Sequence, residues 1–263
     1  MNKFKKILSW VSLLLYLVVM LSFTGAKKHE VVCESIKIQV VDGTKNFFIE
    51  EKDVLTLLHD RREVLMGKTL DSINVNKIEE VLLLHPSVKQ ATVYRTLKGE
   101  VKIKINQRNP ILRIINKGGD SFYVDEEGKI MPLSNKYTAH VVVASGNINL
   151  NYTKLLAAQK AKIGDKSVDN SNALLLDLYE LASYIYHDEF WNAQIEQIYV
   201  NRGEFELIPR VGTHVIKLGS IENYTTKFRN LKALYLQGLP RVGWNNYATI
   251  NLKYNNQVIC TKR

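Results

Sequence analysis

The sequence has few of the residues that cross-link chains, bind metals or interrupt regular structure. Only two cysteines occur, Cys33 and Cys260, far apart in the chain, so a dense disulfide framework is excluded and we expect two separate thiols. The six histidines form no HExxH pattern and the cysteines no CxxC pattern, so no metal site is indicated. The 14 glycines and 5 prolines are too few for a collagen-like or linker-dominated chain.

Sequence motifs of the common enzyme classes are also missing. The chain has no GxSxG, no P-loop and no GxGxxG, and we therefore predict no catalytic residue, no cofactor and no small-molecule substrate. Its basic runs are pairs such as Arg61-Arg62, so the sequence does not predict a nucleic-acid partner. Beyond position 26 there are 33 basic and 26 acidic residues, an excess that we interpret as spread along the chain.

Charge is absent from a long stretch near the start of the chain. No charged residue lies between Ile7 and Phe23, and no acidic residue precedes Glu30. An apolar helix of about 20 residues can cross the hydrocarbon core of a membrane, and preceding lysines favour a cytoplasmic N-terminus. We predict a cytoplasmic tail over 1–6, a transmembrane helix over 7–26 and an exported remainder. A cleaved signal peptide is the alternative, because small residues occupy positions 24–26.

Residues 33–107 are predicted to form a small first domain. Apolar residues alternate over 35–41, which indicates a strand, and recur at helical spacing over 49–60 and 72–86. Two alternating segments then flank Lys98-Gly99 and predict a hairpin. The predicted order is β-α-α-β-β.

Residues 108–263 are predicted to form a mixed β-sheet domain with flanking helices, which gives an α+β chain. The stretch "FYVDEEGKIMPLS" places three carboxylates in a row, but neighbouring residues in a turn point apart, so we predict a turn with solvated acids rather than an acid–base pair. Helices are expected over 172–186 and 221–237, and a hairpin around Asn255-Asn256.

Several motifs carry a resemblance to a known family. The β-α-α-β-β order after an apolar helix resembles a POTRA domain. The phrase "HPSVKQATVYR…GEVKIKINQRNPILRI" is similar to a junction of the FtsQ/DivIB cell-division proteins, and "Y-x-D-x-x-G-x-x-x-P" follows it. The matching positions are Pro86, Val88, Ala91, Val93, Arg108, Pro110, Tyr123, Asp125, Gly128 and Pro132.

The resemblance implies a non-enzymatic scaffold of the division machinery. Such a protein is anchored in the bacterial cytoplasmic membrane, concentrates at the septum and links the cytoplasmic ring to septal peptidoglycan synthesis. Its C-terminal edge strand would bind partners of the FtsB–FtsL type, and its POTRA domain other membrane proteins of division. The implied partner-binding residues are Lys253, Tyr254, Asn256, Gln257, Val258 and Ile259. Tyr254 would be the anchor, or alternatively a core residue.

Two other functions stay open from the sequence. A POTRA-bearing factor for export or assembly in the envelope is one, although such factors continue into a membrane barrel of tilted strands, and residues 108–263 contain two predicted helices. The other is an envelope hydrolase that uses Asp125, Glu126 and Glu127.

Overall fold

The chain divides into two compact units, Met1–Gln107 and Arg108–Arg263. Each unit has a hydrophobic core of its own, and each mixes helices with strands, which confirms the α+β class. The computed structural model describes residues 2–28, 31–41, 47–161 and 173–263, with side chains at 7–21 in the first range and up to 159 in the third.

The first helix, α1 (Asn2–Lys28), contains the uncharged stretch. Its described side chains are exposed. Within the described part of the chain, no helix combines the length and the apolar character that crossing a membrane requires. The predicted tail over 1–6 and the predicted span over 7–26 both include positions whose side chains lie outside that part.

The remainder of the first unit has the predicted β-α-α-β-β order. Its sheet has the strand order β1-β3-β2, with β3 parallel to β1 and antiparallel to β2. Val101, Ile103 and Ile105 alternate along β3 and are buried, as their period of two requires. The elements are β1 (Ser35–Val41), α2 (Glu51–Asp60), a 3-10 turn (Leu70–Ser72), α3 (Val75–Leu83), β2 (Val88–Arg95) and β3 (Glu100–Gln107).

Side-chain caps determine where the helices of this unit begin. At α2, Glu50 and Asp53 form a reciprocal capping box. At α3, the side chain of Asn74 accepts a hydrogen bond from Lys77 N at 3.1 Å, so the helix begins later than the predicted position 72. It ends before Pro86, because the residue that precedes a proline avoids the α region.

The second unit is built on one sheet of nine strands. The strand order is β12-β11-β10-β9-β8-β7-β4-β5-β6, and three neighbouring pairs, β4–β7, β7–β8 and β10–β11, are parallel. The strands are β4 (Pro110–Ile115), β5 (Ser121–Asp125), β6 (Ile130–Met131), β7 (Val142–Gly146), β8 (Ile195–Asn201), β9 (Glu204–Pro209), β10 (Val215–Gly219), β11 (Tyr247–Asn251) and β12 (Ile259–Lys262).

The helices of the second unit connect parallel strands and cover the sheet. They are α4 (Tyr152–Ala161), α5 (Ala173–His187), α6 (Glu189–Gln194), α7 (Tyr224–Ala233), a π-helical segment (Leu234–Gly238) and α8 (Leu239–Val242). Leu178, Leu181 and Ile185 on α5 are fully buried, and so are Phe228 and Leu231 on α7. The helices predicted over 172–186 and 221–237 are therefore confirmed over 173–186 and 224–233, with these residues inward. Position 172 lies outside the described residues, and 234–238 are π-helical.

Some elements of the second unit differ from the sequence expectation. β7 and α4 were not predicted, because a short buried parallel strand lacks alternation and α4 has little amphipathic character. The short helix α6 was not predicted either. Asp188 is its N-cap, and the Asp188 carboxylate accepts hydrogen bonds from Phe190 N at 2.9 Å and Trp191 N at 3.2 Å.

Candidate binding edge of the sheet

The turn between β5 and β6 holds the three consecutive carboxylates. The turn itself is confirmed, but the prediction that its acids are solvated is wrong for Asp125, whose exposed fraction is only 2%. Asp125 Oδ2 lies 2.7 Å from Arg108 Nη1, and its Oδ1 accepts from the backbone N–H groups of Glu127 and Lys129. Burial is tolerated because both oxygens have donors.

The neighbouring acids of this turn also have protein partners. Asn109 Nδ2 and Tyr186 Oη both donate to Glu126 Oε1, the latter at 3.1 Å, and Tyr179 Oη donates to the Glu126 carbonyl at 2.8 Å. Glu127 Oε2 lies 3.2 Å from Arg108 Nη1. These contacts hold the turn to β4 and α5, and they give the acids a structural role.

β12 lies at one edge of the nine-stranded sheet. It pairs antiparallel with β11, from Asn251 opposite Ile259 to Tyr247 opposite Lys262. β11 is parallel to β10 on its other side. In the part of the chain that the structure describes, β12 therefore has a strand neighbour on one side only, and its other side offers backbone groups for strand addition.

The connection between β11 and β12 carries most of the predicted partner-binding residues. Leu252 is buried and holds the start of the connection, while Asn256 adopts a left-handed backbone with φ of 59°, which asparagine tolerates. Tyr254 has an exposed fraction of 52%, so the alternative that it is a core residue is wrong. Gln257 is exposed, and Ile259 opens β12 with an exposed fraction of 42%.

Lys253 and Val258 make more contacts within the second unit than the other predicted partner-binding residues do. Lys253 Nζ pairs with Glu204 on β9, and its aliphatic stem crosses Gly219, where an added Cβ would lie 2.9 Å from Lys253 Cγ. Gly219 also has φ of 78°, which disfavours any side chain there. Val258 is partly buried and packs against the core. These two residues hold the connection in place from either end.

A cleft of about 250 Å³ separates this connection from α7. Its α7 side presents Asn223, Lys227 and Asn230, and its other side presents Tyr254, Asn256 and Gln257. The sequence interpretation missed the α7 residues. Their spacing of four and three residues places them on one polar face of the helix. From the sequence alone, such a face predicts exposure to solvent and not a cleft.

A buried hydrogen bond joins the π-helical segment that follows α7 to the residue that precedes β10. His214 Nε2 lies 2.7 Å from Tyr235 Oη, and both side chains are almost fully buried. Burial lowers the pKa of His214 and raises the pKa of Tyr235 far above its usual range, so both groups are neutral in the folded protein. A neutral polar contact thus joins the helical crossover to the residue that precedes β10.

Comparison with known families gives two matches. Residues 109–261 match the family model described as FtsQ/DivIB, C-terminal related. Residues 31–106 match the model described as POTRA-like domain. Among curated proteins, none matches the chain.

Removing Arg108 should destabilise the second unit strongly. Arg108→Ala leaves the buried Asp125 side chain without its cation, and we expect a loss of about 3–5 kcal/mol in the free energy of unfolding. Urea titration of the full chain in neutral detergent, followed by the fluorescence of Trp191 and Trp244, measures this loss. Arg108→Met combined with Asp125→Asn should recover part of it, and equal stability of Arg108→Ala and wild type would contradict the assignment.

The second unit should lose stability in mild acid because of His214. Its folded pKa lies below the ordinary value of about 6.5, so the unfolded chain binds the proton first as the pH falls. The stability that comes from keeping His214 neutral is therefore fully present above pH ~6.5. Below that pH the free energy of unfolding decreases, by at most about 1.4 kcal/mol per pH unit. His214→Gln should weaken this dependence between pH 7.5 and 5, whereas exposed His140→Gln should not. An unchanged slope in His214→Gln would refute the explanation.

Proposed function

The chain belongs to the FtsQ/DivIB family, since the family model covers more than half of it, and we propose that it is a non-enzymatic scaffold of bacterial cell division. The scaffold links the cytoplasmic ring to septal peptidoglycan synthesis by recruiting partners through its exported part. The single observation that carries the proposal is the position of β12 at the edge of the sheet, with one side open for another strand.

The partners we propose for β12 are membrane proteins of the FtsB–FtsL type. An added strand would gain backbone hydrogen bonds along β12, and its side chains would meet the exposed Tyr254 and Ile259. Tyr254 supports the role of anchor because aromatic residues contribute disproportionately to interfaces. Asn256 and Gln257 line the cleft beside it, while Lys253 and Val258 would contribute chiefly by holding the connection.

The first unit would bind other membrane proteins of division. Its strand β2 also lies at a sheet edge, and Tyr94 on that strand has an exposed fraction of 49%. One outward backbone group of β2, the N–H of Val93, already donates to Glu79 Oε1 at 2.7 Å, so the proposal for this strand is supported by the exposed aromatic residue.

We propose that residues 7–26 anchor the chain in the cytoplasmic membrane, with the N-terminus in the cytoplasm and the protein concentrated at the septum. The uncharged run from Ile7 to Phe23 and the lysines before it support this orientation. The full chain should stay in the membrane pellet after alkaline carbonate extraction. Release into the supernatant would contradict the anchor, and a shortened mature chain would indicate a cleaved signal peptide instead.

A pull-down with the tagged full chain from detergent-solubilised membranes tests the scaffold. We expect wild type to retrieve small single-pass coiled-coil proteins, and Tyr254→Ala combined with Ile259→Lys to retrieve at least tenfold less. Both substituted side chains are exposed, so the fold should be retained. Tyr199→Ala combined with Leu236→Lys is the matched control, because it changes an exposed tyrosine and an exposed aliphatic residue elsewhere on the second unit.

The outcomes separate the alternatives. Retrieval by the Tyr254 and Ile259 variant at the level of wild type would show that the interface lies elsewhere on the scaffold. Retrieval of outer-membrane proteins in place of division proteins would contradict the scaffold and favour the export factor.

A further inference from the structure

A groove of about 660 Å³ lies between α5 and the start of α7. Leu176, Glu180, Ser183 and His187 line it from α5, and their spacing of four, three and four residues places them on one side of the helix. Tyr224 lines it from α7. Among the described lining residues, none belongs to β11, β12 or their connection, so the groove is separate from the candidate binding edge.

Three tyrosine rings line the groove, and contacts within the unit hold them. Tyr179 Oη donates to the Glu126 carbonyl at 2.8 Å. The ring of Tyr184 meets the ring of Tyr224 edge-on, with 5.2 Å between centroids, and lies 4.9 Å from the ring of Phe228. All three tyrosines remain partly exposed. A ligand would therefore meet rings that are already positioned, which lowers the entropy cost of binding.

The charged groups of the groove are negative. Glu180 and Asp188 line it, and no lysine or arginine does so within the described part of the chain. Asp188 pairs with Lys232 at 3.1 Å, whereas Glu180 forms no ion pair with a described residue. Burial raises the pKa of both Asp177 and Tyr224, and the charge of Glu180 raises each pKa further. Negative charge at Glu180 is thus not compensated by a neighbouring cation.

Rings and acceptors of this kind fit a cationic side chain. The face of a tyrosine ring attracts the ammonium group of lysine and the guanidinium group of arginine. His187 Nδ1 lies 2.8 Å from the Ser183 carbonyl oxygen, which can only accept, so in the neutral imidazole Nε2 is an acceptor. A cation in the groove would meet the Glu180 carboxylate, tyrosine rings and this acceptor together.

We propose that the groove between α5 and α7 binds a basic segment of another protein, with an arginine or lysine side chain paired to Glu180 beside Tyr184 and Tyr224. The inference goes beyond the proposed function, because it requires no strand to add to β12. It gives the second unit a second interaction surface that selects for positive charge.

The length of the groove suits a polypeptide. Leu176 and His187 stand eleven residues apart on α5, which corresponds to about 16 Å at a rise of 1.5 Å per residue. An extended chain covers this distance with about five residues. A neutral glycan is the competing occupant, since its hydroxyl groups could donate to the same carboxylates. The uncompensated charge of Glu180 favours the cationic segment.

Fluorescence anisotropy with labelled peptides measures the selectivity for charge. The probe is a hexapeptide of alternating alanine and arginine with a neutral dye, added to the full chain in neutral detergent. Its control contains citrulline, which keeps the approximate size of arginine without the charge. We expect the arginine peptide to bind roughly tenfold more tightly than the citrulline peptide, because the latter loses both the ion pair and the ring contact.

Two single substitutions locate the binding in the groove. Glu180→Gln should weaken binding of the arginine peptide roughly fivefold, whereas Glu196→Gln, which removes an exposed carboxylate on β8, should leave it unchanged. Leu176→Lys adds a cation one turn from Glu180 and should weaken binding to a similar extent. Val211→Lys adds the same charge at an exposed position between β9 and β10 and is its matched control. Equal losses in Leu176→Lys and Val211→Lys would contradict the assignment.

Photo-cross-linking from the groove identifies the natural occupant. A photoreactive residue replaces the exposed Leu176 in the full chain in its membrane, and mass spectrometry maps the captured peptide. We expect a segment of another protein that contains arginine or lysine, and much less capture when Glu180→Gln is combined with it. A captured peptide of this same chain, or one without basic residues, would overturn the proposal.

This inference and the proposed function fail in distinguishable ways. The Tyr254 and Ile259 variant should bind the arginine peptide as wild type does, because neither residue lines the groove. If that variant loses the peptide, the binding is at the edge strand and the groove is refuted. Equal affinities for the arginine and citrulline peptides, or displacement of the probe by chitotetraose, would refute the cationic ligand while leaving the edge strand untouched.

Discussion

The helical crossover between β10 and β11 is the constraint on which the binding edge depends. Because these two strands are parallel neighbours, the chain must return across the sheet before it can pair again. α7 and the π-helical segment make this return and bury Phe228, Leu231 and Tyr235 against the sheet. Since β10 occupies one side of β11, the antiparallel hairpin partner β12 has only the outer position available.

A strand at a sheet edge can pair with strands of other molecules and cause aggregation, and features of β12 oppose this. β12 has only four residues, and the pairing with β11 is irregular between Tyr247 and Thr249. Lys262 and Arg263 add positive charge at its end. Short length, irregular pairing and charge all oppose the uncontrolled addition of further strands.

Buried polar contacts hold the second unit together away from the edge. Arg108 and Asp125 join the start of β4 to the end of β5, and His214 and Tyr235 join β10 to the helical crossover. Removing one partner of either contact would lower the stability of the unit, because the remaining polar group would be buried without a hydrogen-bond partner. Both contacts therefore favour a single arrangement of the unit over looser alternatives.

The sequence by itself determined the regular elements with a clear period. Alternation predicted β1 and β3, helical spacing predicted α2, α5 and α7, and the motif positions indicated the family, because side-chain periodicity is a local property of the chain. The tertiary structure alone decided that Asp125 is buried against Arg108, that Tyr254 is exposed and that Lys227 shares a cleft with Gln257. These facts depend on contacts between residues far apart in sequence. The lysines and arginines of residues 223–263 can be counted from the sequence, but only the sheet order shows that this part of the chain contains the edge strand β12.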